Sequence, residues 1–278
     1  MRLISPSVEY LPQAPGLEGI YRQIELVGRT CYKSQDKITD TSAKPFVDKM
    51  IDAKHFSMLE HGTVYLEIPS YDTNKSIINR YKSNPYSKVV YDKCQICYYI
   101  TTNFRVLVEN GWLNDLQFIT NNIKNHEKRI SLKFITSIGV SREANRHRSF
   151  SIAEQSTRYC NYSKEKFGGE VLFVIPSWHS IYKQHGAISE MDIEWHDSCE
   201  KAENHYLHLI SKGWKPQQAR EVLPLSTATE VVYTAFEEDW KHFFDLRLRG
   251  TTGAPHPNMQ QIATMAHAII KDKLNLDL

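Results

Sequence analysis

Residues 142–159 read Arg-Glu-Ala-Asn-Arg-His-Arg-Ser-Phe-Ser-Ile-Ala-Glu-Gln-Ser-Thr-Arg-Tyr, and this run limits the fold more than any other. It holds four arginines, a histidine, two glutamates and several hydroxyls, with almost nothing apolar, yet it lies mid-chain between apolar segments. No ordinary core element has that make-up. Each guanidinium offers a planar fork of donors suited to phosphate or carboxylate oxygens, and the hydroxyls add neutral donors, so the run points to an anionic ligand. The bland alternative is a solvated helix face, since Arg142 with Arg146 and Glu143 with His147 have the four-residue spacing of exposed helical pairs.

The rest of the composition narrows the class. A chain of 278 residues with 41% hydrophobic and 24% charged residues can bury a substantial core. A formal net charge of +2 excludes a general polyanion binder, so any nucleotide preference must be local. Five scattered cysteines form no disulfide scaffold and suit a reducing compartment. The first residues lack a signal-peptide core and no run of eighteen apolar residues exists, so a cytoplasmic protein without membrane partners is expected.

Along the chain, Ile20, Ile24 and Val27 predict one helix, and Pro45 followed by Phe46, Val47, Met50 and Ile51 predicts another. Val64, Leu66 and Ile68 alternate as a strand behind the polar junction His55 to Gly62. Residues 71–97, rich in Lys, Asn, Ser and Tyr, read as a surface excursion. Asn103 to Asn110 predicts a helix ended by Gly111, with Leu113, Leu116, Ile119 and Ile123 continuing a second. Ile130, Leu132 and Phe134 predict a half-buried strand that delivers the chain to Ser141 as a helix cap. Ser189 to Ser211 predicts a long packing helix, Pro216 opens a short one, and Val231 to Phe236 predicts a strand. Glu237 to Arg247 and Met259 to Ile270 close the chain as helices. His55 and His61, or Cys94 and Cys97, complete no credible coordination set, so no metal is expected.

Arg146-His147-Arg148, then seven residues and Ser156, with Glu154 before it and Arg158-Tyr159 after it, resembles the signature of the flavin-dependent thymidylate synthases. Three further segments resemble that family in order: His55-Phe-Ser57 with Glu60-His61, Ala219-Arg220 with Leu223-Pro224-Leu225, and Phe243-Phe-Asp-Leu-Arg247. The resemblance implies a single α+β domain over residues 1–278, with a central antiparallel or mixed β-sheet flanked by helices. It implies methylation of dUMP to dTMP, with FAD as cofactor, NADPH as reductant and 5,10-methylenetetrahydrofolate as one-carbon donor, in a homotetramer.

Carried over by residue, it places His55, Ser57, Glu60, Arg146, His147, Arg148, Glu154 and His242 at FAD. Glu143, Arg146, Glu154, Ser156, Thr157, Arg158, Arg220 and Arg247 fall at the substrate, and Arg247 is the catalytic arginine that favours the ionised uracil. The chain departs from the pattern at Ala153 and Glu143, where the family often has Asn and Gln, and at Phe236, Glu238 and His242, where other flavin contacts stand. Of the five cysteines only Cys160 lies by an arginine cluster, so a charge-stabilising arginine is expected in place of a thiol nucleophile. The competing reading is an RNA- or DNA-binding module, using Arg142 to Arg158 with Phe150 and Tyr159 as stacking groups.

Overall fold

The computed structural model describes residues 1–182 and 187–278. The first half contains strands β1 (Arg2–Ile4) and β2 (Ser7–Tyr10), helices α1 (Gly16–Tyr32) and α2 (Ala43–Asp52), strand β3 (Thr63–Pro69), helix α3 (Lys75–Lys82), strands β4 (Lys88–Asp92) and β5 (Cys97–Asn103), and helix α4 (Phe104–Glu109). The second half runs β6 (Arg129–Ser137), α5 (Ile138–Ala144), β7 (Ser151–Glu154), β8 (Leu172–Val174), α6 (Glu190–Ser211), α7 (Pro216–Ala219), β9 (Ala228–Phe236), α8 (Glu237–Arg247) and α9 (Pro257–Leu274).

β6 lies inside an antiparallel sheet of order β2-β6-β9-β7. Its period of two sends Ile130, Leu132 and Phe134, beside Val231, Tyr233 and Ala235 of β9, to one face. Trp240, Phe243, Met259, Ile262 and Ala266 of α8 and α9 cover that face. Val232 and Ala153 turn to the opposite face and meet Val27 and Cys31 of α1. Because both faces are covered, β6 is buried more evenly than its alternation predicts, and Ser131, Thr136 and Ser137 are buried as well. Truncating a fully buried aromatic such as Phe243 in this core would cost roughly 3–5 kcal/mol.

A second antiparallel sheet, β3-β5-β4, buries Val64, Leu66, Ile68 and Ile100 against α1, α2, α3 and α4. A third, the parallel pair β1-β8, packs Phe173 against Cys199, Tyr206 and Ala219 of α6 and α7. The α+β class and helix-flanked antiparallel sheets expected from sequence are present, although the strands form three sheets rather than one. No helix among the described residues is long and apolar enough to cross a membrane.

Several local expectations need correction. Residues 71–97 carry α3 and β4, which are anchored because Ile78 and Tyr81 are buried and the Tyr81 hydroxyl donates to Asp115 Oδ2 at 2.7 Å. Leu113 to Phe118 makes only a 3-10 turn: Ile119 leaves it to bridge Leu66 of β3, and Ile123 is exposed. The cap of α5 is Ser137, whose Oγ accepts the Val140 N–H, whereas Ser141 lies inside the helix. Gly111 ends α4 as expected, at φ +69°, a conformation that glycine adopts without steric cost.

Candidate functional site

The signature follows α5 directly, so one short helix divides its residues between two neighbouring clefts. The first, about 580 Å³, is lined by Ser141 and Arg142 of α5, Glu154 to Arg158 at the end of β7, and Arg220 with Leu223 to Leu225. Arg220 Nη1 donates to Thr157 Oγ1 at 2.9 Å, which ties the segment after α7 to the signature. Arg220 also lies 3.5 Å from the exposed Glu221 carboxylate. Arg142 and Arg158 are exposed and have no carboxylate partner among the described residues.

Glu154 lines this cleft as Glu221 does, yet it pairs with none of those arginines. Its Oε1 accepts from Ser141 Oγ at 2.7 Å and Thr229 Oγ1 at 3.1 Å, and its Oε2 accepts from Asn145 Nδ2 at 3.2 Å. Sequence reasoning missed Ser141, Arg142, Asn145, Thr229 and Tyr233 as parts of the site. Only Arg142 and Asn145 had a signal, their place inside the polar run; Thr229 and Tyr233 arrive on β9 through sheet pairing.

The second cleft, about 500 Å³, is lined by Arg146, His147, Arg148 and Ser149 after α5 and by His242, Leu246, Arg247 and Thr252. Arg146 and Arg148 are exposed at its rim without carboxylate partners among the described residues, while His147 between them is buried. Arg247 Nε donates to His147 Nε2 at 3.1 Å, so that nitrogen is the acceptor and the neutral imidazole carries its proton on Nδ1. Burial, then the positive Arg247 and then His242 push the His147 pKa down to about 4. Arg247 Nη2 also donates to the Glu143 carbonyl at 3.0 Å, and its Nη1 lies 3.8 Å from the Glu143 carboxylate. The catalytic arginine expected from sequence is thus held by backbone and a neutral ring, with one loose carboxylate nearby.

A third cleft, about 420 Å³, is lined by His55, Ser57 and Arg105 together with Cys31, Tyr32 and Met58. It meets the first through Cys31, whose carbonyl accepts the Ser156 N–H at 2.9 Å. Glu60 is turned to Arg105, which donates to it at 2.5 Å. Within one chain the predicted residues therefore fall in three clefts. Glu154, Ser156, Thr157, Arg158 and Arg220 share the first; Arg146, His147, Arg148, His242 and Arg247 share the second; His55 and Ser57 share the third. Glu143 faces Arg247 instead of the first cleft.

The cysteines nearest the site are poor nucleophiles. Cys31 and Cys160 are buried; burial, followed by the neighbouring Cys160, pushes the Cys31 thiol up to about 12, and burial also raises Cys160. Phe150 is buried against Trp240 and Phe243, which leaves Tyr159 as the exposed member of the two proposed stacking groups. A further cavity, about 330 Å³ between Tyr10, Tyr65 and Arg129, contains none of the predicted site residues.

The family model described as thymidylate synthase complementing protein matches residues 127–274, from the residues before β6 to the end of α9. The flavin-dependent thymidylate synthase of Pyrococcus horikoshii is 38% identical over 103 residues, covering 37% of this chain and 39% of that protein. That of Synechocystis sp. is 27% identical over 146 residues, covering 50% of this chain and 65% of that protein. The matches therefore span less than two thirds of these relatives' lengths. Among solved structures, a UMP/dUMP methylase PolB from Streptomyces cacaoi bound with 5-Br dUMP has a TM-score of 0.45 at 16% identity, over 98% of this chain and 93% of that one.

Proposed function

The chain belongs to the thymidylate synthase complementing protein family, and from that premise we propose that it is an FAD-dependent methyltransferase converting dUMP to dTMP. In this reading 5,10-methylenetetrahydrofolate is the one-carbon donor and NADPH the reductant. The observation that carries it is the gathering of Arg142, Arg158 and Arg220 with Ser156 and Thr157 around one cleft inside the family-matched residues. Arg142 and Arg158 have no carboxylate partner among the described residues and Arg220 has only the exposed Glu221 at 3.5 Å; such guanidinium groups, beside neutral hydroxyl donors, suit a phosphate that fixes a nucleotide by one end.

At the other end the chemistry requires an electron-rich pyrimidine. A thiol adding to the ring would need a thiolate, and burial keeps Cys31 and Cys160 protonated at neutral pH. Arg247 offers the alternative, since a fixed cation beside the ring stabilises its anionic form; such preorganised donors contribute about 3–4 kcal/mol in other enzymes. The neutral His147 leaves Arg247 as the positive member of the pair and holds it by Nε; with Nη2 on the Glu143 carbonyl and Nη1 3.8 Å from the Glu143 carboxylate, Nη1 is the donor most loosely held and so the one offered to the ring.

The donor set of the second cleft fits a flavin nucleotide. Arg146 and Arg148 supply charge without a carboxylate partner for its diphosphate, with Ser149 and Thr252 as hydroxyl partners and His242 beside them, and His55 and Ser57 line the third cleft. When bound, the flavin would supply the hydride that completes the methyl group. Because Arg247 and the phosphate-type arginines line separate clefts of one chain, a complete site is proposed to combine residues of several copies in a homotetramer.

The test is the purified protein with FAD, and its Arg247→Ala variant, with flavin reduction and methyl transfer assayed separately. Wild type should be yellow and release tetrahydrofolate only when dUMP is present. The variant should keep NADPH-driven flavin reduction and lose methyl transfer by about 100-fold or more. A protein that cannot be reconstituted with FAD, or a variant with unchanged transfer, would overturn the reading.

A further inference from the structure

We propose, resting on the reading of the first cleft given above, that Tyr233 and Asn145 are positioning residues that hold Glu154 away from the cleft's arginines and so keep the anion site open. Glu154 shares its cleft with candidate partners of opposite charge, Arg142 and Arg158, and with Arg220, which has Glu221 at 3.5 Å. An ion pair with any of them would consume the donors a phosphate needs. The carboxylate is held instead by neutral groups on two other elements, Ser141 and Asn145 on and after α5 and Thr229 on β9.

Asn145 is the member of that set whose hold depends on another residue. Its Nδ2 faces Glu154 Oε2 at 3.2 Å, while its Oδ1 accepts the Tyr233 hydroxyl at 2.9 Å. Only one orientation of the amide satisfies both contacts, since the flipped amide would set its oxygen against the carboxylate and its NH2 against the phenol proton. Tyr233 is fully buried and fixed by edge contacts with Phe134 and Phe150. Burial raises its pKa well above the ordinary value, so the hydroxyl remains a donor. Ala153, where the family signature often has Asn, packs on the opposite side of β7 against Val27 and Val232 and offers no amide to Glu154.

Tyr233→Phe keeps the ring and removes the proton that sets the amide. With the relay broken, Glu154 turns to an arginine and competes with the nucleotide phosphate, so the KM and the calorimetric Kd for dUMP should rise about tenfold. By contrast, kcat at saturating dUMP should change less than about threefold, because excess nucleotide displaces the carboxylate. Asn145→Ala should show the same shift, and adding Tyr233→Phe to it should do nothing more. In a Glu154→Gln background, where no carboxylate competes, Tyr233→Phe should leave the Kd for dUMP unchanged, which keeps the test open if Asn145→Ala does not fold. Multiplying effects in the double variant, or an unchanged Kd in Tyr233→Phe alone, would overturn the relay. A wild-type protein that binds no dUMP would sink the reading of the cleft itself, so the two failures are distinguishable.

Discussion

Two clusters of polar groups lie on the four-stranded sheet, and they differ in how their donors are used. Beneath the sheet, the Arg129 guanidinium donates to Glu60 O at 2.9 Å, Thr63 Oγ1 at 3.3 Å and Ser151 Oγ at 2.9 Å. Beside it Thr234 Oγ1 links Ser131 Oγ at 2.7 Å to His61 Nδ1 at 2.8 Å. That seam satisfies its donors with internal acceptors and joins the 3-10 turn before β3 to β6, β7 and β9. In the first cleft Arg142 and Arg158 have no carboxylate partner among the described residues, Glu154 is held by neutral donors, and only the exposed Glu221 lies beside an arginine, Arg220. An arginine in the seam is therefore part of the scaffold, whereas the donors of the cleft are left open to solvent or to a ligand. Residue type alone does not separate the two.

Acidification tests the comparison most severely. Burial pushes His61 down to about 3 and both His126 and His147 down to about 4. Their folded pKa values lie below the unfolded one, so this stability is present above about pH 6.5 and is lost as pH falls toward 4. At pH 5 each histidine should have cost up to about 2 kcal/mol, and urea midpoints should fall steeply between pH 6.5 and 4. A flat profile would mean that these rings are solvated.

Next, Arg129→Met should lower unfolding stability by roughly 3 kcal/mol, because it leaves the Glu60 carbonyl and the Ser151 hydroxyl without their donor in a largely enclosed place. Arg158→Ala in the cleft should do the reverse, with stability unchanged within about 0.5 kcal/mol but a KM for dUMP raised about 10- to 100-fold. If Arg158→Ala were the variant that unfolds the protein, the contrast would be wrong. The smallest effect belongs to Lys88→Ala, which breaks the exposed Lys88–Glu238 pair (2.7 Å) between β4 and α8 and should shift stability by less than about 1 kcal/mol.

The family-matched half was the more legible in the sequence. α8, with acidic residues in its first turn and Arg247 in its last, and α6, capped by Ser189, follow from local signals. The charged run from Arg142 to Arg158 announced an anion site, and its residues do line clefts. Residues 71–97 misled because the signals of a short amphipathic helix and an edge strand are weak when only Ile78 and Tyr81 are buried. Leu113 to Ile123 misled in the opposite sense: helical spacing was present, but Ile119 gains more by bridging β3 than by extending the turn.

The sequence by itself determined which residues carry charge, the order of the motifs and the strongly signalled elements such as α6 and α8, because caps, periodicity and residue chemistry act over a few positions. Only the tertiary structure decided that Arg129 serves the scaffold while Arg158 faces a cleft, that Glu154 rests on Asn145 and Thr229, and that Arg247 leans on a neutral His147. Those pairings join residues from 9 to 100 positions apart. Whether a guanidinium meets an internal acceptor or a cleft depends on how the strands align and which faces they cover, and neighbouring residues in the chain hold no record of that.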